Sequence, residues 1–332
     1  MKSHAVVFPE ANRVEFQEIE CPEPGPGDLV VRLTHSWISN GTEGSYLRGE
    51  RIAGDTPVRP GDPAPFPVVP GYQKVGRVQR VGRDVTDVAE GEVVFAAMSR
   101  VSGMFWDTGG HVSPAVTPRD HIWKLPSRAD PLAFAGLVLT QVGYNCGTRA
   151  PIRPGEAAVV VGDGLVGQWA AQTLAWRGAE VLLVGRHEDR LARFSREPYR
   201  RVVNARHTDW PALARDLFPN GVRVGVDTVG SIPAVEALHK LMARYGHIVS
   251  AGFYGTQDRL AVQPLRTGEV SLDIVSGWAQ DRMDDTLRLV ADGYLETLPL
   301  ITHHFPASDA LRAWDLIRAK RDKVLGVILD WP

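Results

Sequence analysis

The sequence predicts an α/β protein in two parts, a β-rich lobe and a doubly wound parallel sheet. Three observations carry this. Short strand-like runs separated by turn residues fill positions 4 to about 125, strand and helix alternate from about 131 to 278, and a glycine motif joins one of those strands to its following helix. At 332 residues the chain also exceeds one ordinary core and suits two domains.

In the first lobe the period-two and β-branched runs predict strands over 5–8, 29–34, 76–81, 92–96 and 115–116. Between them, six prolines from position 57 to position 70 fix φ and remove donors, which predicts a long irregular loop. Farther on, strands are expected over 157–161, 181–184, 224–227 and 248–250, with helices over 167–176, 188–194 and 232–243. The pattern shifts again near position 276, to a helix over 284–291, a strand over 302–305, a helix over 308–319 and a strand over 324–329. That tail is read as returning to the first lobe, giving domains 1–130 with 279–332, and 131–278.

Composition narrows the function. A net charge of −2 and 44% hydrophobic residues describe an ordinary globular protein, with a small-molecule substrate expected and no nucleic-acid partner. Cys21 and Cys146 alone cannot build a disulfide framework or a four-thiolate zinc site and suit a reducing, cytoplasmic compartment. The first eight residues read as a strand rather than a signal, and the apolar runs stop well short of the roughly 20 residues a membrane span needs.

Gly162-Asp163-Gly164-Leu165-Val166-Gly167 follows an all-apolar strand and opens a helix. In that context the first glycine makes a tight turn, the second admits a pyrophosphate, and the third allows close helix packing, with the helix N-terminus facing the anion. At the end of the next strand, where NAD-binding chains place an acid for the adenosine ribose, this chain has Gly185-Arg186-His187. Glycine leaves room for a 2′-phosphate and Arg186 can pair with it, so NADP(H) is the expected cofactor; a solvated surface arginine is the other reading.

Taken together, Pro70-Gly71-Tyr72-Gln73-Lys74-Val75-Gly76, the segment 144–156 before the glycine motif, Asp227-Thr228-Val229-Gly230, Gly246-His247-Ile248-Val249 and Ile301-Thr302-His303-His304-Phe305 resemble the medium-chain dehydrogenase/reductase superfamily over nearly the whole chain. The resemblance implies a GroES-like catalytic domain wrapped around a Rossmann domain, hydride transfer, and a homodimer or homotetramer. It extends the cofactor contacts beyond Gly162, Gly164, Gly167, Gly185 and Arg186 to Leu165, Val166, His187, Arg190, Thr228, Gly252, Phe253 and Gly277. Its first 80 or so residues are similar to polyol-type alcohol dehydrogenases and hydroxyethyl-bacteriochlorophyllide dehydrogenases. The zinc-ligand positions of the metal-dependent branch hold Asn40, Tyr72, Gln73 and Val138, and an amide, a phenol, a second amide and an alkyl group are not zinc donors. The structural-zinc cysteines of that branch are missing as well, so no metal is expected.

Without a metal, another group must stabilise the oxyanion that hydride transfer creates. Thr42 keeps the relay hydroxyl of the zinc branch, Tyr72 offers a phenol, Gln73 an amide that fills the vacated position or orients a substrate oxygen, and Glu43 a base or a salt-bridged support. His111 reads as structural, and His303 and His304 as surface or core histidines. Trp37, Tyr46, Phe105, Trp106, Tyr254 and Trp278 suit a ring-accommodating pocket, though core packing uses such residues equally. The expected reaction is interconversion of a hydroxyl and a carbonyl on a cyclic or polyol-like substrate. Reduction of a conjugated carbon–carbon double bond, and a non-catalytic NADPH-binding role, are the alternatives.

Overall fold

In the second unit, residues 139–300, strands with apolar residues on both faces dictate the architecture. The computed structural model describes residues 1–194, 200–255, 257–319 and 323–332. Six parallel strands run in the order Arg200–Asn204, Glu180–Gly185, Ala157–Val161, Val222–Asp227, Met242–Ser250 and Ser271–Ile274. Successive side chains leave on opposite faces. Ala158 and Val160 therefore join one apolar core with Ala170 and Leu174 of the helix Leu165–Trp176, while Val159 joins another with Leu182 and Leu238. This is the Rossmann order, with the first strand central and the chain reversing direction across it.

The first unit comprises residues 1–138 and 301–332. Its central strand, Asp28–Trp37, pairs antiparallel with Lys74–Val81, Ala115–Pro118 and Gly326–Asp330, in registers such as Val31 opposite Val78 and Ile328 opposite Trp37. A three-stranded sheet of Val112–Ser113, Lys2–Val7 and Glu15–Glu20 packs its apolar face into the same core as Trp314 of the helix Ala310–Arg318. The proline-rich stretch is irregular apart from a hairpin of Arg51–Ala53 with Thr56–Pro57 and a bridge between Phe8 and Val68.

Three expectations need correction. The tail returns to the first unit at Ile301, not near 279. The helix Gln280–Ala291 and the turn after it stay with the parallel sheet because Tyr144 Oη donates to Asp285 at 3.0 Å and Trp169 Nε1 donates to the Glu296 carbonyl at 3.0 Å. Residues 232–243 are not one helix: it spans Ile232–His239, and from Met242 the chain is strand, because Met242 pairs with Val222. The helix expected over 188–194 is a single turn, Glu188–Leu191.

One buried charge stands out in the first unit. Lys74 is fully buried, with Nζ donating to the carbonyls of Ala97 at 2.6 Å and Gly109 at 3.4 Å. Burial pulls its pKa down to about 7. The unfolded chain holds that proton to about pH 10.4, so between these values it binds more protons than the folded protein and stability rises with pH. Lys74→Met should flatten this rise, removing a slope of up to about 1.4 kcal/mol per pH unit in urea unfolding followed upward from neutral pH. Parallel stability profiles for parent and variant would exclude a Lys74 contribution.

Candidate functional site

In the parallel-sheet unit the candidate residues gather where the strands end. Gly162 has φ +119°, and a Cβ there would lie 2.2 Å from Thr228 Oγ1, which itself donates to the Val161 carbonyl at 3.0 Å. A Cβ at Gly167 would lie 1.9 Å from the Gly162 carbonyl oxygen, whereas one at Gly164 would meet nothing within 4 Å. The turn is therefore packed tightly at Gly162 and Gly167 and open at Gly164. Leu165–Trp176, the helix that follows, starts at Gly164 with no side-chain cap. Helices Trp210–Leu217 and Ile232–His239, by contrast, are capped by Asp209 and Ser231. An uncapped first turn, through Leu165, Val166 and Gly167, leaves backbone N–H groups for an anion.

Two carboxylates shape the neighbouring turns. Asp163 is buried, and its Oδ2 accepts the backbone N–H groups of Arg186 at 2.7 Å and His187 at 2.8 Å. The ring Nδ1 of His187 lies 3.0 Å from both of its oxygens, and Arg190 Nη1 lies 3.6 Å from Oδ1. A Cβ at Gly185 would come within 2.4 Å of Asp163 Oδ2. A side chain at position 185 is thus excluded from inside the protein, by Asp163. Arg186 is exposed, and no described residue pairs with its guanidinium.

Asp227, also fully buried, accepts the N–H groups of Val229 at 3.0 Å, Gly230 at 3.1 Å and Ser231 at 3.2 Å. Tyr254 Oη donates to it at 2.6 Å; burial, then this carboxylate, push the phenol's pKa upward. Gly252 lies against the turn so held, since a Cβ there would sit 1.9 Å from the Gly230 nitrogen, and Phe253 backbone presses on Gly230 from the same side. Gly277 has φ +61° and open space around it.

The catalytic candidates lie in the other unit, on the helix Asn40–Leu47 and the turn before the strand Lys74–Val81. The Tyr72 phenol lies near the side chains of Ser39 and Thr42, and burial pushes its pKa upward. Three hydroxyl-bearing side chains therefore lie close together. Ser39 was not singled out from the sequence, where a serine ahead of a short helix looks like any other cap. Gln73 is fully buried and donates to the Trp37 carbonyl at 3.2 Å, so it braces the strand behind this group. Glu43 is fully buried too, with one oxygen accepting the Ser39 N–H at 2.8 Å and the other 2.9 Å from His111 Nε2. His111 Nδ1 lies 2.8 Å from Ser36 Oγ, which accepts Trp331 Nε1–H at 2.9 Å. A neutral His111 donating to Glu43 and accepting from Ser36 satisfies every member of this chain. The carboxylate thus supports the turn carrying Ser39 and Asn40. Asn40 donates to the Leu325 carbonyl at 2.7 Å and keeps a buried Oδ1 with no protein donor. Four residues past Thr42, Tyr46 packs edge-on against Trp106 with centroids 4.8 Å apart, and Phe105 flanks Trp106 at 6.3 Å. Trp37, grouped with them in the sequence reading, is core.

Comparisons with known proteins agree with this architecture. A family profile described as zinc-binding dehydrogenase matches residues 166–292. The 2-desacetyl-2-hydroxyethyl bacteriochlorophyllide A dehydrogenase of Cereibacter sphaeroides is 30% identical, over 100% of this chain and 99% of its own length. The chain belongs to the medium-chain dehydrogenase/reductase superfamily. Among solved structures, a putative zinc-binding dehydrogenase from Sinorhizobium meliloti 1021 bound to NADP matches with a TM-score of 0.82 at 20% identity, covering 99% of both chains. A short chain alcohol dehydrogenase from Escherichia coli CFT073 complexed with NADH matches with 0.85 at 18% identity, again over 99% of both. This superfamily member is a dehydrogenase-type oxidoreductase.

The zinc in the family's description does not suit the residues here. Asn40, Tyr72, Gln73 and Val138 occupy the matching positions, Asn40 and Gln73 spend their amide nitrogens on carbonyls, and Val138 is a buried alkyl group. Among the described residues no three His, Cys, Asp or Glu side chains gather as a metal site. Nor is any helix among them long and apolar enough to cross a membrane.

Glu43→Ala should expose how much the buried chain contributes. It leaves the Ser39 N–H and the His111 Nε2–H without acceptors, at about 1–3 kcal/mol for each orphaned group. Urea unfolding of the variant should show a loss of about 2–6 kcal/mol for the two together, and an unchanged midpoint would mean that water or another acceptor replaces the carboxylate.

Proposed function

We propose that this protein is an NADP(H)-dependent oxidoreductase that interconverts a hydroxyl and a carbonyl on a cyclic or polyol-like substrate without zinc. The observation that carries the reading is the nearness of Tyr72, which stands at a position matching a zinc ligand of the metal-dependent branch, to the hydroxyl-bearing side chains of Thr42 and Ser39. Relatives named bacteriochlorophyllide A dehydrogenase and putative D-xylulose reductase support a ring-bearing or polyol substrate, as does the aromatic group of Tyr46, Trp106 and Phe105.

A bound nicotinamide dinucleotide supplies or takes up the hydride. For its part, the chain holds the pyrophosphate at the uncapped turn of Leu165, Val166 and Gly167 and offers the unpaired Arg186 guanidinium to a 2′-phosphate. Thr228, Gly252, Phe253 and Gly277, with His187 and Arg190, would complete the contacts to the same dinucleotide. In the other unit, Tyr72 or Thr42 delivers a proton to the developing oxyanion, and Ser39 keeps the phenol oriented. Glu43 and Gln73 act behind them, as supports for the turn and the strand. A phenol whose pKa is raised by burial stays protonated through neutral pH, which suits a donor in the reducing direction.

NADPH should bind more tightly than NADH. Removing one charged contact costs about 1.5–3 kcal/mol, so Arg186→Ala should weaken NADPH roughly 10- to 100-fold in fluorescence titration and leave NADH nearly unchanged. Equal affinities in the parent would end the NADP(H) assignment.

The proton donor is tested by turnover at saturating NADPH in a screen of cyclic ketones, ketoses and conjugated enones. Tyr72→Phe or Thr42→Val should lower ketone turnover by about 100- to 10,000-fold, with little change in KM. Full activity in both variants would place the donor elsewhere, and oxidation of NADPH by enones alone would replace carbonyl chemistry with double-bond reduction.

A further inference from the structure

We propose that Asp163 fixes the cofactor class by occupying, from within the glycine loop, the place where an acidic side chain at position 185 would read the adenosine ribose. This deepens the NADP(H) reading and rests on it.

Four observations support the inference. First, a carboxylate inside a loop that must face a pyrophosphate is unfavourable unless its charge is consumed. Asp163 meets that condition: it is 5% exposed, and its oxygens receive two backbone N–H groups and the His187 ring nitrogen, with Arg190 Nη1 at 3.6 Å. Second, a Cβ at Gly185 would lie 2.4 Å from Asp163 Oδ2, 2.5 Å from its Cβ and 2.7 Å from its Cγ. These contacts involve a short side chain held by four partners, so it cannot swing aside as a lysine tip would. Third, an acid at 185 would add a second carboxylate against the first, a like-charge pair at contact distance. Fourth, the N–H groups that Asp163 holds are those of Arg186 and His187, so the carboxylate also sets the backbone from which the unpaired Arg186 side chain projects.

Gly185 is thus required by Asp163 before any phosphate is considered. The pair forms a lock: with Asp163 in place the strand end cannot acquire the ribose-reading acid, and the loop's uncommitted charge is the positive one at Arg186. Asp163 therefore acts as a positioning residue for cofactor choice, and it touches the protein's own backbone rather than the ligand.

The test is a double-mutant cycle on the full chain, read by thermal unfolding without cofactor and by NADH and NADPH titration. Gly185→Asp alone should lower the melting temperature by roughly 5–10 °C and abolish tight binding of either dinucleotide. Combining it with Asp163→Ala should recover most of that loss, because the space and the charge are both vacated. The double variant should also favour NADH over NADPH by about tenfold or more. A double variant no more stable than Gly185→Asp overturns the lock, as does a Gly185→Asp protein that folds normally and binds NADH. If the parent binds both dinucleotides equally, the NADP(H) assignment falls, and the stability cycle still decides separately whether the two positions exclude each other.

Discussion

The strand ends of the parallel sheet depend on how closely two stretches of backbone approach within the glycine loop. With a Cβ at residue 167 only 1.9 Å from the Gly162 carbonyl oxygen, no side chain fits between the helix and the strand it follows. That contact sets where the helix begins, and therefore where its unpaired N–H groups lie. Thr228 repeats the constraint from the next strand, its Oγ1 bonded to Val161 and in the path of any side chain at 162. Neighbouring turns can vary in sequence only within the volume that these contacts leave.

Buried carboxylates hold those turns, and all three use the same physics. Asp163 accepts N–H groups from residues 186 and 187, Asp227 from residues 229, 230 and 231, and Glu43 from residue 39. A carboxylate buried this way is stabilised by several charge-assisted hydrogen bonds and in return satisfies backbone groups that irregular turns would leave unpaired. Placed at strand ends and at the start of a helix, they hold loops in place without adding apolar bulk. The price is a residue whose acidic side chain is no longer free to do chemistry, as with Glu43.

Much of this was legible in the sequence. The glycine motif after an all-apolar strand predicted both the parallel sheet and the helix that opens at the motif, because Gly162 and Gly167 have steric reasons that any chain must meet. The two-unit plan likewise followed from a change in hydrophobic period. What escaped was mostly long-range. Nothing local marks Tyr144 and Trp169 as the anchors that keep 279–300 with the parallel sheet. The pairing of Glu43 with His111 joins positions far apart in sequence, and neither residue has a pattern around it that names the other. A signal that was present and not used is Asp163: an acid between two glycines of a tight turn needs internal partners, and the glycine at 185 makes room for it.

The first unit is assembled from two stretches separated by the entire parallel-sheet unit. Its strand Gly326–Asp330 completes the pairing of Asp28–Trp37, Leu325 accepts the bond from Asn40, and Trp331 donates to Ser36. During synthesis, residues 325 to 331 leave the ribosome only after 139–300 are made, so the parallel-sheet unit is a continuous stretch able to fold while its neighbour still has an open sheet edge. The turn carrying Asn40 and the strand carrying Ser36 therefore acquire part of their support only with the C-terminal strand. A nascent chain would hold its dinucleotide-binding half before it held the half proposed to do proton chemistry.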